Sequence, residues 1–296
     1  MIAMNLTQEY KKSLKMLEVE EVFDLIFYRP LAFIFVKTIY RTSITPNQVT
    51  WLALLFGVLG AFLITFGTHQ VYILAALCFI IYNVLDCSDG QLARINKSGT
   101  LTGRIVDGFA DYVVAVVSYI GIGIGYANHT DNPIFNWILV ALAGFSNAAH
   151  SLTLDYYRNQ FMDYTLNRKS ILGEDLIQYE EEYNLLKKDK RRTLDRMLIW
   201  FYLKYSYLQI NFSTNKINIQ TKYFDAREYY AKNKLMIHLW TYIGPTTELT
   251  FMIVCAFINR WDIFLWGMLV FANTYALILY MIQRRINTSL KIVGNQ

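Results

Sequence analysis

Long apolar segments dominate the sequence, and they set the solvent in which the chain folds. A helix needs about 20 mostly apolar residues to cross a membrane. Segments of this kind lie near residues 46–66, 71–89, 103–127, 134–155, 236–258 and 262–283. With 54% hydrophobic and only 17% charged residues, the composition is also too apolar for an ordinary soluble domain. The sequence therefore predicts an all-α polytopic membrane protein with six transmembrane helices.

Lysine and arginine are concentrated on one side of these predicted spans. The short turns near 67–70, 127–133 and 259–262 contain a single basic residue, Arg260. Every other Lys and Arg lies in the N-terminal arm, in the connection between the second and third spans, in the long segment before the fifth span, or after the last span. Basic loops are retained in the cytoplasm, so both termini and the connection between spans two and three are expected there.

Four regions follow from this pattern. Residues 1–45 mix apolar residues at helical spacing with Lys and Glu, which predicts an amphipathic arm on the membrane surface, turned at Arg29-Pro30. Residues 46–155 contain the first four spans. Residues 156–235 are polar and helix-like and predict a cytoplasmic helical insertion. Residues 236–296 contain spans five and six and a cytoplasmic tail.

The most charged stretch of the spans lies where the second span ends and the third begins. Its residues are spaced D-x2-D-G-x2-A-R-x8-G-x3-D-x3-D between Asp86 and Asp111. On a helix Asp86 and Asp89 share one face, as do Asp107 and Asp111, with a rise of about 4.5 to 6 Å within each pair. If the second of these helices folds back on the first, the four carboxylates converge, and Gly90, Ala93, Gly103 and Gly108 would allow close approach.

Four carboxylates at the edge of a membrane need cations to offset their repulsion. Arg94 and Arg104 can supply part of this charge. Hard divalent cations such as Mg²⁺ or Mn²⁺ prefer oxygen ligands and often share them with substrate phosphates. The motif therefore predicts a site for two divalent ions, of the kind used in phosphoryl transfer.

The same spacing resembles the signature of the CDP-alcohol phosphotransferase family. Eight positions match over 26 residues, and the likeness extends to TPNQVT, residues 45–50, at the start of the first span. The resemblance implies transfer of a substituted phosphate from a CDP-linked donor to an alcohol, with divalent metal and release of CMP, in phospholipid biosynthesis. It also implies that one substrate is a lipid and that the protein is a homodimer in a lipid membrane. No nucleic-acid partner is expected.

The resemblance assigns roles by position. Asp86, Asp89 and Asp107 would bind the metal pair, with Asp111 as a further ligand and as the general base for the acceptor hydroxyl. The cytidine diphosphate pocket would be formed by Gly90, Ala93, Arg94 and Gly103, with Arg94 reaching the phosphates. Asn47, on the same side of the membrane, is a further position that could meet a ligand.

The acceptor alcohol and the donor are not determined by the motif. Family members that use inositol or inositol phosphate typically have Arg after the last Asp of the motif, and this chain has Tyr112 there. Two alternatives stay open at this point: a catalytically inactive scaffold of the same fold, or a cation transporter that uses the carboxylate cluster. Magnesium-dependent release of CMP would separate the enzyme from both.

Polar residues inside the later spans are further candidates. Asn147 and His150 lie one turn apart on the fourth span, and His238 and Glu248 lie on the fifth. Each could line the acceptor pocket, or could simply make hydrogen bonds within the bundle. Glu248 is the costliest of them to bury, and nearby threonines are expected to solvate it.

Overall fold

The computed structural model describes residues 6–14, 16–166, 171–187, 192–214, 223–290 and 292–294. The described residues are mainly helical and include two short strands, β1 (Tyr223–Phe224) and β2 (Ile292–Gly294), which pair antiparallel. The helices in chain order are α1 (Leu6–Ser13), α2 (Arg29–Ile39), α3 (Pro46–Ile64), α4 (His69–Asn96), α5 (Leu101–Gly125), α6 (Pro133–Thr165), α7 (Ile171–Leu186), α8 (Thr193–Thr214), α9 (Ala226–Trp240), α10 (Pro245–Phe257), α11 (Trp261–Trp266) and α12 (Asn273–Thr288).

Within the described residues, five helical segments are long and apolar enough to cross a membrane. They are Pro46–Ile64, His69–Asn96, Leu101–His129, Pro133–Thr165 and Trp261–Thr288. The last of these joins α11 to α12 through a π-helical stretch, Gly267–Ala272. These segments agree with five of the six predicted spans and are compatible with an integral membrane protein.

The predicted fifth span, 236–258, is wrong as a single continuous helix. Helix α9 ends at Trp240, a short 3-10 turn covers Thr241–Ile243, and α10 begins at Pro245. Proline lacks the N–H that would continue the preceding helix and suits the first position of a new one, so the chain breaks at Gly244-Pro245. The six-span count therefore remains a prediction.

The start of the first span forms as the sequence predicted. The Thr45 side chain accepts a hydrogen bond from the Gln48 backbone N–H at 3.3 Å, and the Gln48 side chain accepts one from the Thr45 N–H at 2.9 Å. This capping box, with Pro46 at the first helical position, satisfies N–H groups that would otherwise be unpaired at the membrane surface. It fixes where α3 begins.

Helix α3 is the central element of the bundle, because it packs against both α4 and α5, which make little direct contact with each other. Close packing of α3 on α5 depends on glycines: a Cβ at Gly121 would lie 2.5 Å from the Ala61 carbonyl oxygen, and one at Gly125 1.9 Å from that of Ile64. The cleft between α4 and α5 is therefore left open above α3.

The predicted amphipathic arm is helical but interrupted. Between α1 and α2 lie a 3-10 turn, Leu17–Val19, and a π-helical turn, Asp24–Tyr28, that continues directly into α2. The expected break at Arg29-Pro30 is absent, because Pro30 occupies the first turn of α2, where its missing N–H is tolerated. The polar side of the arm faces the protein: its buried charged residues are Glu20, Glu21, Asp24 and Arg29.

The region predicted as an insertion, 156–235, includes the end of α6 and the start of α9. Helix α6 continues to Thr165, and α9 already begins at Ala226, where Tyr229 packs against Phe161 of α6. Between them α7 and α8 pack on each other, with Tyr179, Leu186, Ile199 and Leu203 in their shared core. Residues 167–170, 188–191 and 215–222 of this region lie outside the described residues.

Candidate active site at the mouth of helices α4 and α5

Two helix ends bring the motif carboxylates together. Helix α4 ends at Lys97, which adopts a left-handed conformation (φ 51°), and Thr100 caps α5 by accepting a hydrogen bond from the Gly103 N–H at 3.0 Å. This tight connection turns the chain back within a few residues. Asp86 and Asp89 on α4 therefore face Asp107 on α5, as the sequence predicted.

Three of the four carboxylates form a compact group. One oxygen from each of Asp86, Asp89 and Asp107 lies within 4.8 Å of the others. Asp89 is buried, whereas Asp86 and Asp107 are half-buried. This all-oxygen set, open on one side, fits hard divalent cations that complete their coordination with water or substrate oxygens.

Asp111 is not one of these three, although it lies one turn further along α5. Its side chain is exposed to the cleft, and its Oδ1 accepts a hydrogen bond from the Tyr82 hydroxyl at 2.7 Å. Asp86 and Asp111 line the same cavity. Asp111 thus lies beside Asp86 but outside the compact group.

Sequence reasoning missed the hydroxyl donors of this site. Thr50, in the second turn of α3, donates its Oγ1 hydrogen to Asp89 Oδ2 at 2.5 Å, and Tyr82 serves Asp111 in the same way. A signal for Tyr82 was present, because it lies four residues before Asp86 and thus on the same face of α4. The contact of Thr50 with Asp89 depends on the packing of α3 against α4 and α5, which the sequence does not show.

The small residues of the motif leave space rather than bring α4 and α5 together. A Cβ at Gly108 would meet nothing within 4 Å, and one at Gly90 would meet only the end of the Arg94 side chain, 3.3 Å away. The expectation that these residues allow close helix approach is therefore wrong for Gly90 and Gly108. At Gly103 a Cβ would lie 2.9 Å from the Asn47 side-chain oxygen, so this glycine admits α3 instead.

Arg94 is held beside Gly90 by the N-terminal arm. Its Nε donates to the Ser13 carbonyl oxygen at 2.5 Å, while Nη1 and Nη2 lie next to Gly90. Ala93 is half-buried in the same turn of α4. The guanidinium is thus oriented by a contact that the sequence did not predict.

The polar residues of the later spans separate into two groups. In the first group, His150 Nδ1 lies 2.5 Å from Glu248 Oε1, and the Asn147 side-chain N–H donates to Glu248 Oε2. The expected threonine solvation of Glu248 is wrong, since its carboxylate bonds to His150 and Asn147, while Thr247 bonds to Glu21. His238 lies apart and packs edge-on against Tyr242, with ring centroids 5.8 Å apart.

Comparison with known proteins agrees with the motif. No curated protein matches the chain significantly. The family model described as CDP-alcohol phosphatidyltransferase matches residues 43–160, a segment that contains α3, α4, α5 and the complete motif. The predicted resemblance is therefore confirmed over residues 43–160, which match the model of this family.

Proposed function

We propose that the protein transfers a substituted phosphate from a CDP-linked donor, either CDP-diacylglycerol or a CDP-alcohol, to an alcohol hydroxyl and releases CMP. The observation that carries this proposal is the group of Asp86, Asp89 and Asp107 oxygens within 4.8 Å of one another, inside the matched domain. The product is a phospholipid or a phospholipid precursor, since the site opens at the end of two membrane spans.

Two divalent ions, Mg²⁺ or Mn²⁺, are the proposed cofactor. Asp86, Asp89 and Asp107 hold them, with Asp111 as a further ligand on the inner side. Such ions, when bound, neutralise the carboxylates and polarise the donor phosphates towards attack. Thr50 keeps Asp89 oriented through its 2.5 Å hydrogen bond.

The donor is proposed to lie over Gly90, Ala93 and Gly103. The absence of a side chain at Gly90 lets phosphate oxygens approach the α4 backbone, and the Arg94 nitrogens beside it can donate hydrogen bonds to them. The open space at Gly108 extends this surface on α5.

Asp111 is the proposed general base. It takes the proton from the acceptor hydroxyl while the acceptor oxygen forms a bond to the phosphorus that carries the lipid or alcohol substituent. The bond between that phosphorus and the oxygen of CMP breaks at the same centre, and the electron pair leaves with CMP. The Tyr82 hydroxyl, bonded to Asp111 Oδ1, holds the carboxylate in position.

The site is proposed to face the cytoplasm, with both termini on that side, because the Lys and Arg residues gather there. A homodimer is expected from the family resemblance alone. This arrangement lets a water-soluble substrate and a lipid meet at the membrane surface.

Purified protein tested with CDP-diacylglycerol, CDP-choline and CDP-ethanolamine against a panel of alcohols would check the proposal. One of the donors is expected to give CMP and a lipid product. This activity should vanish in EDTA and return when Mg²⁺ or Mn²⁺ is added. Asp86→Asn and Asp89→Asn are expected to weaken metal binding. Full activity in EDTA after exhaustive dialysis contradicts the metal mechanism, and no CMP from any donor favours an inactive scaffold or a transporter.

A further inference from the structure

Behind Asp111 lies a cavity of about 110 Å³ between α4, α5, α6 and α10. Asp86, Asp111, Asn147 and Glu248 are among the residues that line it. One water-sized group occupies about 30 Å³ in the liquid, so the space suits a small polar molecule. A hydroxyl bound here can face Asp111 from the side opposite the mouth of the cleft.

The inner end of this cavity is built from a connected set of buried polar groups. His150 Nδ1 lies 2.5 Å from Glu248 Oε1, and the Asn147 side-chain N–H donates to Glu248 Oε2. His150 Nε2 lies 3.2 Å from Asn273 Oδ1, and the Asn273 amide nitrogen donates to the Met268 and Leu269 carbonyl oxygens. Both nitrogens of His150 therefore have a partner within this set.

One amide on the wall makes no hydrogen bond of ordinary geometry. Asn83 is 4% exposed and lines the cavity, and its buried Nδ2 has no such bond among the described residues, although the Tyr28 hydroxyl lies near this side chain. A buried N–H without a hydrogen bond destabilises the folded protein, and a bound acceptor oxygen would remove this penalty. Asn83 is thus a second, independent indication of a ligand in this space.

The described wall offers no lysine or arginine to an anionic ligand. Among the described residues that line the cavity, none is Lys or Arg, and three are carboxylates: Asp86, Asp111 and Glu248. The imidazole of His150 is already paired with Glu248. Beside Glu248, which is not among the proposed metal ligands, a phosphate or carboxylate would have no lysine or arginine to pair with among the described lining residues. Uncharged hydroxyls can donate to this carboxylate and accept from the amides.

We propose that this cavity binds the acceptor, and that the acceptor is a small uncharged polyhydroxy alcohol without a phosphate group. Asn83, Asn147 and Glu248 contact its hydroxyls, and His150 is a positioning residue that acts through Glu248. The inference rests on the proposed function, because it concerns the alcohol that Asp111 deprotonates.

Matched alcohols test the substrate class. CMP release is measured with glycerol against glycerol 3-phosphate, with myo-inositol against inositol phosphate, and with diacylglycerol. The unphosphorylated member of one pair is expected to react at least tenfold faster than its phosphorylated partner. A faster phosphorylated partner, or diacylglycerol as the best acceptor, overturns the inference and leaves the proposed function standing.

Asn83→Leu tests the site without breaking any hydrogen bond that the described structure contains at Nδ2. The acceptor KM is expected to rise about tenfold, the effect of one lost hydrogen bond, with the donor Kd unchanged. Asn147→Ser serves as a second variant. Gln160→Leu is the control, since its Oε1 is also buried without a partner and it does not line the cavity.

The outcomes separate the two proposals. An unchanged acceptor KM in both Asn83→Leu and Asn147→Ser, in protein that melts normally, overturns the acceptor site. Donor binding by titration with no CMP from any small uncharged alcohol also overturns it. If neither donor binding nor CMP release is found, the proposed function itself fails.

Discussion

At the scale of single residues, hydroxyl groups from two helices divide the carboxylates of the site into two roles. Thr50 donates to Asp89, inside the compact group, and Tyr82 donates to Asp111, which lies outside it. A carboxylate inside the group is suited to hold cations, while one exposed to the cavity is suited to take a proton. This division yields separate predictions for the two residues.

Asp111→Asn should lower turnover about 10²-fold or more while donor binding stays near wild type, because an amide cannot accept the acceptor's proton. The measurement is turnover at saturating acceptor beside donor titration. Asp107→Asn, within the metal-binding group, is the comparison and should also weaken metal binding. Near wild-type turnover of Asp111→Asn would place the base elsewhere, with His150 or Glu248 as the next candidates.

Thr50→Val should weaken divalent-metal affinity about tenfold, because Asp89 loses the hydrogen bond that orients it. The readout is the Mn²⁺ concentration that gives half-maximal CMP release, together with Mn²⁺ titration of the protein. Thr102→Val is the matched control, since the Thr102 hydroxyl is buried without a partner in the described structure. Equal shifts in both variants would contradict the role of Thr50.

At the scale of elements, the N-terminal arm joins the helices around the site with its charged side. Arg29 pairs with Glu20 at 2.6 Å, and Glu21 accepts hydrogen bonds from the Thr247 N–H at 2.9 Å and hydroxyl at 3.1 Å. The opposite side exposes apolar residues, among them Ile26 and Ile34. The amphipathic pattern therefore has its apolar side outward, as a helix in contact with lipid requires.

Glu21 makes the stability of this arm depend on pH. Burial raises its pKa to about 8 from an ordinary 4.5, and the nearby Asp24 carboxylate adds to the rise. Since the folded protein favours the protonated form, this stability is full below about pH 4.5 and is lost as the pH rises through about 8.

Glu21→Gln should therefore flatten the fall in melting temperature between pH 5 and 9 in detergent. Glu228→Gln, at a half-buried pair with Lys232 (2.8 Å), is the control and should leave the slope unchanged. The same pH slope in wild type and Glu21→Gln would show that Glu21 does not carry this dependence.

The packing of α3 on α5 is the second element-scale feature. Gly121→Ala should destabilise the protein by about 1–3 kcal/mol, because the new methyl group meets the Ala61 carbonyl oxygen and the backbone must move. Gly108→Ala, on the same helix and in open space, should be neutral or slightly stabilising. Thermal unfolding measures both, and a Gly121→Ala variant as stable as Gly108→Ala would contradict the close approach.

At the scale of the whole molecule, the number of membrane crossings decides on which side the two termini lie. The five long apolar segments alone would put the termini on opposite sides, whereas the Lys and Arg distribution favours the same side. Helix α10, of 13 residues, is about 20 Å long and shorter than a membrane core. Together with the end of α9 it can complete a sixth crossing that is broken at Gly244-Pro245.

Labelling of introduced cysteines tests this topology. Ser98→Cys and Asp131→Cys lie at the two ends of α5, and both positions are exposed. Ser98→Cys is expected to react from the cytoplasm, Asp131→Cys only from outside, and tags at both termini from the cytoplasm. Terminal tags on opposite sides of the membrane would indicate five crossings instead of six. Labelling of Asp131→Cys only from the cytoplasm would contradict the proposed orientation of the site.

The sequence alone determined the features that depend on local spacing. The apolar segments, the capping box at Thr45 and Gln48, and the i,i+3 and i,i+4 pairs of aspartates follow from helix geometry, so they could be read from one chain. The resemblance to a family of known chemistry rests on the same spacing. The break at Gly244-Pro245 also had a local signal in the proline, but hydropathy averaged over the segment concealed it.

Only the tertiary structure decided which groups meet across long separations in the chain. The contacts of Thr50 with Asp89, of His150 with Glu248, and of Arg94 with Ser13 join residues that are 39, 98 and 81 positions apart. No periodicity encodes such pairs, because they depend on how α3 separates α4 from α5 and on how the arm folds back. The cavity behind Asp111 could not be predicted for the same reason, because its walls come from four different helices.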